Sequence, residues 1–123
     1  MENNRGSDPS VRPEPDSARE LRLRGYAFYT KGDFQSAQKD FEEALVIAPN
    51  DVEAVYGLGL SYRIQGNMEK GANAFRKVLD LLGAGSVEDP TRTKMLERLA
   101  KGHLNMITKG DWDLEKEIWK RNV

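Results

Sequence analysis

Nineteen basic residues stand against 20 acidic ones in a chain of 123, with one histidine and no cysteine. That balance leaves no block of like charge suited to nucleic acid or an anionic membrane, the missing cysteine excludes disulfide frameworks and thiol chemistry, and a lone histidine excludes multi-histidine metal centres. No run approaches the roughly 20 apolar residues of a membrane span, so the sequence predicts one soluble, cytoplasmic domain that needs no cofactor.

Residues 1–17 carry Pro9, Pro13 and Pro15, with Val11 the one aliphatic residue after the start. A segment of this composition cannot offset the entropy lost on ordering, and a flexible polar tail is expected. From Ser17 onward, residues able to accept from the free N–H groups of a first helical turn recur at Ser17, Asp33, Asp51, Asn67, Asp89 and Asp111. Ser17 and Glu20 have capping-box spacing, and Pro90 suits a first helical position. Six helices are predicted, at 18–31, 34–48, 52–65, 68–82, 90–109 and 112–121, with no strand.

The second helix places Phe34, Ala37, Phe41, Ala44, Leu45 and Ala48 on one face, and the fourth does the same with Met68, Ala72, Phe75, Val78, Leu79 and Leu82. Gly32 and Gly66 can take the left-handed conformation that ends a helix and reverses the chain within two or three residues. Such short connections force antiparallel pairs. Pro49 stops the second helix, and Gly83 with Gly85 are expected to act likewise after the fourth.

Thirty-four residues separate Gly25 from Gly59, Phe28 from Tyr62, Gly32 from Gly66, Phe41 from Phe75 and Leu45 from Leu79. A period of that size marks stacked repeats, each burying one face against its neighbour. Residues 18–51, through Leu21, Gly25, Phe28, Gly32, Phe34, Ala37, Phe41, Ala44 and Pro49, resemble a tetratricopeptide repeat. Residues 52–85 follow with Val55, Leu58, Gly59, Tyr62, Gly66, Ala72 and Phe75, departing where Gly71 replaces the usual alanine and Gly83 the usual proline. A divergent third unit spans 90–123: Gly110-Asp111-Trp112 repeats Gly32-Asp33-Phe34 about ten residues late, and His103 falls where the earlier repeats have glycine. The resemblance implies an all-α solenoid of about six helices in three antiparallel pairs, the third irregular, occupying 18–123.

No catalytic constellation accompanies this pattern. Glu42 and Glu43 diverge by about 100° around their helix, and Gly57-Leu58-Gly59 lies within a helical pattern, not in a phosphate-binding loop. The resemblance instead implies a non-catalytic adaptor that binds another protein, capturing a peptide segment or helix in the concave groove formed by the first helix of each repeat. Projected onto this chain, that groove takes Arg19, Arg22, Tyr26 and Tyr29, then Tyr56, Leu60 and Arg63, then Lys101, Leu104 and Thr108. Its mixture of tyrosine and arginine suits a partner with apolar and acidic groups. A simpler reading has Tyr26 and Tyr56 completing the core. The carboxylate clamp of heat-shock co-chaperones is not reproduced, since Tyr26 and Gly57 stand where asparagines are needed and Glu97 where a cation is. The alternative function is structural assembly, a homodimer formed through the C-terminal residues Trp112, Ile118 and Trp119.

Overall fold

The computed structural model describes residues 17–112. The expected tail through residue 16, the expected sixth helix beyond Trp112, and the rest of the third repeat lie outside these. Among the described residues there are five helices and no strand: α1 (Ala18–Lys31), α2 (Phe34–Ile47), α3 (Val52–Ile64), α4 (Met68–Gly83) and α5 (Pro90–Lys109). Each end falls within one residue of expectation.

The helix starts are fixed by the predicted caps. Ser17, Asp33, Asp51 and Asn67 each accept from the backbone N–H three residues on, and Asp89 accepts from Thr91 and Arg92 behind Pro90. At Gly32 and Gly66 the backbone takes φ +86°, and the next N–H reaches back to the carbonyl of Phe28 or Tyr62. The expectation for Gly83 is corrected: it is the last helical residue of α4, and Gly85 alone turns left-handed, at φ +84°. The 84–89 connection and the 20 residues of α5 absorb the extra length of the third unit.

Packing between repeats is organised by two phenylalanines. Phe41 on α2 is fully buried, and a Cβ added at Gly25 would lie 2.8 Å from its ring. The same ring presses on Gly57 of the next repeat, so Phe41 is wedged between two helix backbones that have no side chain at those points. Phe75 repeats the first half of this arrangement, with Gly59 at 2.9 Å, but its other face meets the imidazole of His103. Two apolar clusters result, around Phe41 and around Phe75, and Leu45 packs against both.

Among the described residues one charged residue, Asp40, is buried inside this frame. Asp40 on α2 is 2% exposed and receives Arg24 in a two-pronged contact, Nε to Oδ2 at 2.8 Å and Nη2 to Oδ1 at 2.9 Å. The planar guanidinium matches both carboxylate oxygens at once, which ties α1 to α2.

Candidate protein-binding face

The projected groove residues lie on α1, α3 and α5, and the structure divides them by what already occupies them. Arg22 is committed within the chain: its Nη1 donates to Asp51 Oδ2 at 2.6 Å and its Nε lies 3.7 Å from Glu53 Oε1. The second oxygen of Glu53 meets the guanidinium of Arg92. Asp51 caps α3, Glu53 sits in its first turn and Arg92 in the first turn of α5, so one ionic chain joins the starts of all three first helices. The two carboxylates also lie where the α3 dipole favours negative charge.

Tyr26 and Tyr56 are half-buried and split the roles expected of them. Tyr26 packs edge-on to Phe41 with ring centroids 4.8 Å apart and donates its hydroxyl to the Glu53 carbonyl at 2.6 Å. Burial first, and the neighbouring Tyr56 second, push its pKa upward. Tyr26 therefore belongs largely to the core. Tyr56 rests against Phe75 and His103, with both centroids at 5.9 Å, yet its hydroxyl has no hydrogen-bond partner among the described residues. Its pKa is raised by burial and then by the electrostatic influence of Tyr29 on α1. Tyr29 meets Phe34 edge-on at 5.2 Å, and its hydroxyl is likewise unpartnered.

The remaining positions complete the face. Leu60 and Leu104 are half-buried against the Phe75 cluster, Arg63 is half-buried near His103, and Arg19 is exposed. Lys101 lies 3.7 Å from Glu97 one turn earlier, a surface contact of small energy, and Thr108 donates back to the Leu104 carbonyl at 2.9 Å. Trp112 is seated on its own chain. Its indole covers Gly102 and meets His103 edge-on at 5.0 Å, while its carbonyl accepts from Asn105 Nδ2 at 2.8 Å. Ile118 and Trp119 lie outside the described residues.

His103 was visible in the sequence as the residue replacing a glycine, but not its surroundings. Its ring stacks on Phe75 at 5.0 Å and 10°, between Tyr56 and Trp112, and Nδ1 is buried without a partner among the described residues. Desolvation, then the nearby Arg63 charge, lower its pKa to about 4. Because the unfolded chain takes up this proton near the ordinary value of about 6.5, the unfolded state binds more protons between those limits. The contribution is fully present above pH 6.5 and is lost as pH falls toward 4. Thermal melts of wild type and His103→Phe should diverge over that window, the wild type losing more stability on acidification, and parallel curves would contradict this placement. Sequence reasoning also missed Glu53 and Arg92 as an ionic link. The available signal was an acid two residues after a cap, too common a pattern to single out.

Among the described residues there is no group of His, Cys, Asp and Glu able to hold a metal ion, and no helix is long and apolar enough to cross a membrane. A curated relative, the Hsp70-Hsp90 organising protein of Plasmodium falciparum (isolate 3D7), is 27% identical over 111 residues, which is 90% of this chain and 19% of that protein. This chain therefore spans about a fifth of that relative's length. The model of the tetratricopeptide repeat matches residues 22–86, more than half of the chain. With the paired helices, the glycine-terminated turns and the phenylalanine wedge between repeats, that match establishes that the chain belongs to the tetratricopeptide repeat family.

Proposed function

We propose that this chain is a non-catalytic, cytoplasmic interaction module that captures a peptide segment or short helix of another protein along α1, α3 and α5. The observation that carries this reading is a pair of half-buried tyrosines on consecutive first helices, Tyr29 on α1 and Tyr56 on α3, whose hydroxyls have no hydrogen-bond partner among the described residues. Tyrosines of this kind supply large contact area with little rotamer entropy to lose. Since Arg22 is held by Asp51 and Glu53, positive charge for an acidic partner comes from Arg19, Arg63 and Lys101. Leu60 and Leu104 extend the apolar strip toward the third repeat.

The likeness to an Hsp70-Hsp90 organising protein supports the class of function and not the same partners. Two positions where a carboxylate clamp needs asparagine, Tyr26 and Gly57, are both committed here to packing around Phe41. Self-association through Trp112 is disfavoured by the indole's place on Gly102.

Affinity capture with mass spectrometry would identify the partner. Against it, Tyr29→Ala with Tyr56→Ala should weaken binding about thirtyfold or more, the equivalent of about 2 kcal/mol at a central aromatic contact, with the helical spectrum retained. Tyr56→Phe keeps the packing on Phe75 and tests the hydroxyl alone. Undiminished binding by the folded double variant would remove this face as the site.

A further inference from the structure

A second surface lies on a different side of the repeats. Between α2, α3 and α4 runs an open groove of about 260 Å³ whose floor is Leu45, Val55, Leu58 and Ala74, with Tyr62, Lys70, Asn73 and Lys77 along its edge. The α3 residues facing it, Val55, Leu58 and Tyr62, are rotated by roughly 130° around the helix from Tyr56, Leu60 and Arg63.

The charges around this floor are unequal on its two sides. On α4, Lys70 and Lys77 are two turns apart, about 10.5 Å along the axis, and neither ammonium meets a carboxylate among the described residues. Lys70 Nζ lies over the Tyr62 ring, 5.6 Å from its centroid, and Lys77 has no partner there. On α2, Glu42 is joined to the groove through Tyr62, its Oε2 accepting from the Tyr62 hydroxyl at 3.0 Å and from Gln38 Nε2 at 3.2 Å. We infer that this groove binds a second peptide ligand, a short acidic segment of a partner protein that sets apolar side chains on the Leu45–Leu58 floor and carboxylates against Lys70 and Lys77. Such a segment buries the apolar strip and neutralises both cations, whereas a basic segment satisfies the floor alone. The site does not use Tyr29 or Tyr56, so the module can hold two segments at once.

The test uses the full isotope-labelled chain and two blocked synthetic peptides, one of alternating leucine and glutamate pairs, the other with lysine replacing every glutamate. Amide shifts on titration with the acidic peptide should saturate and cluster at Leu45, Leu58, Lys70, Asn73 and Lys77. Lys70→Glu with Lys77→Glu, both at exposed positions, should weaken that binding at least tenfold without altering the melt, and the lysine peptide should give no saturable shifts. Failure of the acidic peptide to saturate, equal binding of the two peptides, or shifts centred on Tyr29 and Tyr56 would each overturn the assignment. The last result would leave the concave-face proposal standing. Because the chain has no cysteine, a nitroxide at Arg5→Cys or Arg121→Cys reports on the chain's own ends. Strong broadening at the groove would make those ends its occupant and overturn the proposal, as would groove shifts that grow with protein concentration when no peptide is present.

Discussion

Gly57→Leu is expected to lower the melting temperature by on the order of 10 °C, while Gly71→Ala leaves it unchanged or raises it. The two glycines differ in what a side chain would meet. At Gly57 the added Cβ runs into the buried Phe41 ring, which is already pressed on Gly25 and cannot withdraw. Overpacking of this kind costs about 1–3 kcal/mol, and each kcal/mol moves the midpoint of a domain this size by about 4–8 °C. At Gly71 the Cβ would find Arg63 N and Gly59 O at 3.5 Å and Ile107 Cδ1 at 3.6 Å, ordinary contact distances. Alanine there gains roughly 0.5–1 kcal/mol of helix preference over glycine. Calorimetry on both variants decides the matter, and similar shifts for the two would contradict the wedge.

Arg24→Met should destabilise the fold by about 3 kcal/mol, the low end for a broken buried pair because the arginine is itself partly exposed. The cost arises at Asp40, whose carboxylate would remain 97% shielded at the side chain with no guanidinium to receive it. Replacing both partners, Arg24→Met with Asp40→Leu, should recover most of the loss, since the unpaired charge is then gone. A chemical-denaturation cycle over the four proteins measures this coupling, and a double variant as unstable as the sum of the singles would exclude the pair as the cause.

Much of the fold could be read before any coordinates because its signals are local. Caps such as Asp33 and Asn67 act within one turn, and Gly32 and Gly66 act within one peptide unit, so residue identity and spacing suffice. The stripe through Phe41 and Phe75 identified the packing faces by helical period alone. What Gly57 does was not legible, because its requirement is imposed by a ring sixteen positions earlier in a neighbouring repeat. Arg22 and Arg63 look equivalent in sequence, each sharing a helical face with a groove tyrosine, Tyr26 one turn away and Tyr56 two turns away. They part company in space because Asp51 and Glu53 sit at the start of α3, within reach of Arg22. The groove beside Lys70 and Lys77 was hidden for the same reason: it is assembled from three helices, and no one of them carries its pattern.

The ionic chain from Arg22 through Glu53 to Arg92 gives the array two edges of different mechanical character. Deeper in the stack, the spacing of repeats is set by ring against backbone at Phe41, a contact indifferent to salt. Along the N-terminal edge of the first helices it is set by attraction between partly exposed charges, which dissolved ions attenuate. Raising ionic strength should therefore weaken the Arg92–Glu53 contact, where the arginine is 47% exposed, more than the Phe41 wedge, a difference that denaturation at low and high salt would read. Glu53, shared between Arg22 and Arg92, is the residue through which that salt dependence would pass from one repeat to the next.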